Sequence, residues 1–120
     1  MHELSLAHQL VETVTELARQ HRAERVRSIT LRVGVWSCVH PPALQSAFGW
    51  LAEGTLLEDT QLKFIEVPLT VRCDACGGDK QLTGIQSLRC PDCGRLCGEV
   101  REGRELEIET MEILADDERQ

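Results

Sequence analysis

The chain predicts an α+β fold: two helices packed on a small three-stranded sheet, with a small module inserted between the second and third strands. Three observations carry this expectation. Two stretches repeat apolar residues at helical spacing, three read as strands, two of them by alternating apolar and polar residues, and a cysteine-rich segment of different composition interrupts them.

In order along the chain, Leu6, Leu10, Val14 and Leu17 recur at spacings of four, four and three between Leu4 and about Gln20. Ala7, Val11 and Ala18 widen the stripe, which predicts an amphipathic first helix with Gln9, Glu12, Glu16 and Arg19 toward solvent. The polar stretch HRAER ends that pattern. SITLRVGV then alternates Ile29, Leu31, Val33 and Val35 against Ser28, Thr30 and Arg32, the pattern of a half-buried strand. In WSCVHPP the prolines suit the first turn of a second helix, whose apolar face is Ala43, Leu44, Ala47, Phe48 and Leu51, before Gly54. QLKFIEV, residues 61–67, predicts a second strand closed by Pro68, and RELEIETMEI, residues 104–113, a third. ADDERQ reads as a loose tail.

The segment from about 70 to 101 holds five of the six cysteines and most of the glycines. Thirty residues bury too little apolar surface to fold unaided, so the module needs a staple. The expected organisation is therefore residues 1–69 and 102–120 as one α/β domain and 70–101 as an inserted module.

Composition narrows the function. Acidic residues exceed basic ones by 20 to 13, for a formal charge of −7, which repels a phosphate backbone and makes nucleic acid a poor partner. No run approaches the roughly 18 apolar residues of a membrane span, and the start lacks a secretory pattern, so a cytoplasmic protein without a membrane partner is expected. Four cysteines in close pairs in a reducing compartment point to metal rather than disulfides.

The pairs are Cys73-x2-Cys76 and Cys90-x2-Cys93, in CDACGG and CPDCGR. Each tight turn presents two thiolates to one ion, and Gly77 and Gly94 let the backbone curl behind the second cysteine. Four thiolates around a tetrahedral ion make a closed structural zinc site, with no position left for water or substrate. Iron is the rival ion, as in rubredoxin-like electron carriers, but those cluster aromatic residues and residues 70–101 contain no Phe, Tyr or Trp. A zinc-ribbon interaction or nucleic-acid module is a further alternative. Cys97 has no evident pair and reads as a small buried or partly exposed thiol rather than a fifth ligand, and Cys38 as an inert thiol rather than a further sulfur donor. His8 and His21 read as helix-surface residues.

The opening MHEL offers a second metal option. The Met1 amine, the His2 amide nitrogen and the His2 imidazole can chelate one ion through adjacent small rings, a nitrogen-rich set that suits Ni(II) or Cu(II), and Glu3 can add a backbone amide or a carboxylate oxygen. A solvated helix start with Glu3 favoured by the helix dipole is the alternative.

MHELSLA, LRVGVWS, ALQSAF followed by EGT, and the ordered pair CDACG and CPDCG resemble the HypA family, including HybF, of nickel-insertion accessory proteins for nickel–iron hydrogenase. The likeness runs over nearly the whole chain. It implies a nickel-binding α/β domain with an inserted zinc domain, transient Ni(II) at His2 and the backbone around Glu3, and structural Zn(II) on Cys73, Cys76, Cys90 and Cys93. It further implies a metallochaperone rather than an enzyme. Its expected partners are the hydrogenase large-subunit precursor, a GTPase of the HypB type and, in some relatives, urease maturation factors, with the chain a monomer or weak homodimer. One position departs from the family: His40 stands in SCVHPPAL where a carboxylate is usual. An imidazole there is either a further nickel ligand, raising nitrogen content and acid sensitivity, or a solvated loop residue.

Overall fold

The computed structural model describes residues 2–82 and 87–115, with His2 described by its backbone alone. Of the expected loose tail ADDERQ, Ala115 instead ends the last strand and is buried, while residues 116–120, like Met1 and the side chain of His2, lie outside the described residues. The chain divides into two compact units, one of Met1–Leu31, Val39–Phe64 and Ile108–Gln120, the other of Arg32–Cys38 and Ile65–Glu107. Composition places the inserted module at 70–101; hydrogen bonding gathers more of the chain into the second unit.

In the first unit, helix α1 spans His2–Gln20, with Glu3 in its first turn and Arg19 in its last, both favourable to the helix dipole. Its predicted stripe is the buried face: Ala7, Val14 and Ala18 are inaccessible to solvent. The helix ends where Arg22 takes a positive φ of 55°. Helix α2 (Pro41–Ala52) begins on prolines at its first positions, where no hydrogen-bond donor is missed, and packs against α1. Leu44 and Phe48 are fully buried, and each such side chain is worth about 1.5–3 kcal/mol relative to exposure. After α2, Gly54 takes a φ of 76° and the turn folds back so that Val26 N–H donates to Leu56 O at 3.3 Å and Thr60 Oγ1 to Val26 O at 2.7 Å.

Strands β1 (Ala23–Gly34), β2 (Gln61–Val67) and β6 (Leu106–Ala115) form a three-stranded sheet in the order β2-β1-β6. The first strand starts earlier than the alternation from Ser28 predicts, because the polar stretch at 23–27 is paired as well. It also carries buried residues on both faces: Ile29 and Leu31 on one, Val26 and Ser28 on the other. Thr30 and Arg32 on that second face are only half-covered, so the half-buried expectation holds from Ile29 onward and fails before it. Ser28 is tolerated in the interior because its Oγ donates to Glu112 at 2.8 Å. The second strand falls where predicted; the last begins and ends two residues later than predicted.

The second unit holds a sheet the sequence did not announce, β4-β3-β5, from Leu69–Cys73 (β3), Gly78–Leu82 (β4) and Glu99–Glu102 (β5). Both neighbours run antiparallel to β3, with Val71 opposite Lys80 and Cys73 opposite Gly78 on one side and a register shift between Thr70 and Val71 on the other. Leu69, Val71, Cys73, Cys90 and Cys97 form its buried cluster, and Val35, Trp36, Leu82, Leu88 and Val100 pack against it. The segment 32–38 belongs here because Gly34 N–H donates to Glu105 O at 2.8 Å, Val35 N–H to Val67 O at 3.0 Å and Trp36 N–H to Gly103 O at 2.6 Å. Arg104 lies over the Trp36 ring, 5.4 Å from its centroid. Gly34 lies so near Gly103 that a Cβ on it would stand 2.1 Å from the Gly103 carbonyl carbon.

Candidate metal centre

Two tight turns present the four paired cysteines. At the end of β3, Gly77 N–H donates to Cys73 O at 2.8 Å; in the second turn, Gly94 N–H donates to Cys90 O at 2.9 Å. Both glycines take positive φ, 74° and 78°, which a side chain would strain. Each CxxCG stretch therefore closes on its own backbone and turns both sulfurs to one side.

The four Sγ atoms lie within 4.8 Å of one another, with Cys73 and Cys90 buried and Cys76 and Cys93 exposed. Across the turns, Cys73 Sγ is 3.6 Å from Cys93 Sγ and Cys76 Sγ is 3.9 Å from Cys90 Sγ. Neither distance is that of a disulfide, whose sulfurs are about 2.05 Å apart. A regular tetrahedron with metal–sulfur bonds of about 2.3 Å has edges of about 3.8 Å. The spacing and the all-sulfur donor set thus fit one tetrahedral ion.

The thiols also polarise one another. The Cys73 thiol is lowered to about 6, first by a hydrogen bond from the Cys76 backbone and further by hydrogen bonds from Cys93, Cys90 and Cys76, against the opposing effect of burial. The Cys76 thiol is pushed up to about 12 by its hydrogen bonds to Cys93, Cys73 and Cys90, with burial and the charge on Cys73 adding to it. One thiolate is therefore already favoured, and its neighbours donate to it. Cys97 stands outside the four-sulfur set: its Sγ is 3.7 Å from Arg95 O, and burial first, then the charge of Cys73, raises its thiol. Asp92 N–H donates to Cys90 Sγ at 3.4 Å, and Lys80 Nζ reaches Asp92 Oδ2 at 2.6 Å, contacts that cysteine spacing alone does not reveal.

In the first unit, the start of α1 meets the start of α2. Glu3 Oε2 accepts a hydrogen bond from His40 N–H at 3.3 Å. His40 occupies the N-cap of α2 with its imidazole exposed and making no capping bond. The two positions are thus brought together by the Glu3 carboxylate, which the sequence offers only as a metal donor and not as the acceptor of a hydrogen bond from the His40 loop. Cys38 is exposed, with its Sγ 3.9 Å from Trp36 O. His8 is exposed on α1, 3.9 Å from Glu12, and His21 is exposed at the end of that helix.

An α+β protein with two helices, a three-stranded sheet and a zinc-ribbon-like module carrying four clustered thiols is the class that fold and site define. A family model described as "Hydrogenase/urease nickel incorporation, metallochaperone, hypA" matches residues 1–113. The chain is 40% identical over 112 residues to the hydrogenase maturation factor HypA of Chloroflexus aggregans, covering 93% of this chain and 98% of that protein. It is also 40% identical over 116 residues to the hydrogenase maturation factor HypA of Roseiflexus sp., covering 97% and 94%. The solution structure of the Ni metallochaperone HypA from Helicobacter pylori shares the fold, with a TM-score of 0.70 at 21% identity over 95% of this chain and 98% of that one. The chain belongs to the HypA family, the nickel metallochaperones of hydrogenase maturation.

No helix among the described residues is long and apolar enough to cross a membrane.

Proposed function

We propose that this chain binds Ni(II) through the Met1 amine, the His2 amide and imidazole, the Glu3 backbone and His40, and delivers it to the large-subunit precursor of a nickel–iron hydrogenase. The observation that carries the reading is the hydrogen bond from His40 N–H to Glu3, which ties the His40 loop to the start of α1. An exposed imidazole that makes no capping bond is free to turn toward an ion at the chain's start.

Cys73, Cys76, Cys90 and Cys93 hold structural Zn(II), which supplies the ordering free energy a small module lacks, about 10–16 kcal/mol in comparable sites. A closed four-thiolate site offers no position for substrate, so the chain acts as a carrier rather than an enzyme. Transfer proceeds by ligand exchange: the precursor's ligands displace the nitrogen donors one at a time, and the ion leaves when the acceptor holds more of them. A GTPase of the HypB type and, for urease, its own maturation factors are the further partners this reading expects, in the cytoplasm.

The test is a nickel titration by equilibrium dialysis of the zinc-loaded, untagged chain beside His2→Ala and His40→Ala. About one nickel per chain, lost in His2→Ala and weakened in His40→Ala with zinc retained, supports the reading. Equal binding in wild type and His2→Ala refutes it. Residues added before Met1 should weaken binding by removing the free amine.

A further inference from the structure

Strand β4 alternates: Asp79 and Gln81 are exposed, whereas Gly78, Lys80 and Leu82 lie on the half-covered side. Leu82 packs against the buried cluster, and Lys80 stands opposite Val71, which is fully buried. A lysine on the inner side of a strand breaks the polar-out pattern. Its stem can follow apolar surface, but its ammonium requires an anion.

The anion is Asp92, 2.6 Å from Lys80 Nζ. Asp92 lies between Cys90 and Cys93, and its own N–H donates to Cys90 Sγ. One residue therefore faces Lys80 with its carboxylate and the sulfur with its amide. Because β4 follows directly on the first cysteine turn, the Lys80–Asp92 pair joins that turn to the second one outside the ring of sulfurs. The Asp92 hydrogen bond and charge raise the Lys80 ammonium above its usual range, with the charges of Cys76 and Cys90 adding to it, so the lysine remains cationic beside the thiols.

We propose that Lys80 is a positioning residue of the metal centre: through Asp92 it clasps the second cysteine turn to the first, keeps the Asp92 amide on Cys90 Sγ, and slows metal loss. This rests on the zinc reading of the four cysteines given above. Four thiolates around one divalent ion carry two net negative charges, and a nearby cation with an N–H···S bond withdraws density from sulfur. Sulfur so held is harder to protonate or displace, and the turn must open before its ligands can leave. The carboxylate of the pair is 63% exposed, so its share of static stability is small and its effect lies in the kinetics of release.

The experiment mixes the zinc-loaded full chain with excess 4-(2-pyridylazo)resorcinol and records the rate of zinc transfer. Lys80→Met should release zinc about tenfold faster, the lower end of what outer partners of metal ligands contribute. Lys80→Arg, which keeps the charge, should restore the rate, and Asp92→Asn should match Lys80→Met. In the Co(II)-substituted protein the sulfur-to-cobalt charge-transfer bands should shift in Lys80→Met and Asp92→Asn but not in Lys80→Arg. Wild-type release rates in both Lys80→Met and Asp92→Asn, with one zinc bound per chain, overturn the clasp and leave the zinc site standing. Failure of the wild type itself to hold one zinc overturns both.

Discussion

Replacing Gly34 by alanine drives a methyl group into backbone. The added Cβ would lie 2.1 Å from Gly103 C, 2.2 Å from Gly103 O and 2.5 Å from Arg104 N, and none of these atoms can rotate away. Restoring ordinary contact moves the two segments apart by more than about 1 Å, which stretches the Gly34–Glu105 and Trp36–Gly103 hydrogen bonds beyond useful range. Two backbone bonds lost at about 1 kcal/mol each, with about 1–3 kcal/mol of overpacking strain, give an expected destabilisation of about 3–5 kcal/mol. With a urea m-value of about 1–3 kcal/mol/M, the midpoint should fall by more than about 1 M. The assay is urea unfolding of the zinc-loaded chain followed by fluorescence, in which Trp36 reports the second unit. Gly49→Ala is the matched control: it adds the same methyl to an exposed position of α2 with nothing within 4 Å, and should stabilise by about 0.5–1 kcal/mol. A Gly34→Ala midpoint within error of wild type would refute the close approach of the two segments.

Phe48→Ala empties a fully buried aromatic site and should cost about 3–5 kcal/mol, read as a fall in the thermal midpoint of the first unit. Cys93→Ala leaves three sulfurs and should abolish stoichiometric zinc binding and the amide protection of β3 and β4, measured by hydrogen exchange, while α1 and α2 stay protected. Zinc affinity should fall with acid. Cys73, lowered to about 6, is a ligand-ready thiolate at pH 7.5 and partly regains its proton at pH 5.5, whereas Cys76, pushed up to about 12, must release a proton to bind throughout the interval; the drop measured with a competing chelator should therefore be steep, and a flat profile contradicts thiolate ligation. Nickel affinity should weaken across the same range as imidazole takes up its proton, and dialysis at pH 7.5 and 5.5 checks it.

What could be read from the sequence follows the range of the interactions involved. The α1 stripe and the apolar run of β2 before Pro68 are local patterns, and both elements appear where those patterns put them. The four cysteines were legible because two ligands of each pair are neighbours in sequence, so the turn chemistry around Gly77 and Gly94 is written beside them. The early start of β1 was hidden because Glu24, Arg25 and Arg27 look like loop, and only the neighbours of a central strand recruit them. Strands β3 to β5 were missed for a related reason: each has five residues or fewer and draws its inner face from chain far away, such as Trp36. The Glu3–His40 bond spans 37 residues and leaves no local trace. Lys80 left a partial one, since GDKQL alternates but sets a cation on the wrong side.

The hydrogen bond between Gly34 and Glu105 also imposes a schedule on biosynthesis. Its donor and acceptor are separated by seventy-one residues, so at about 5–20 residues per second the ribosome finishes the acceptor roughly 4–14 s after the donor. During that interval Trp36 waits without its Gly103 partner. Cys73 and Cys76 also emerge before Cys90 and Cys93, so a nascent chain first offers a metal two thiols rather than four. The second unit therefore cannot close before Glu105 is made, and metal capture and strand pairing fall in the same short window.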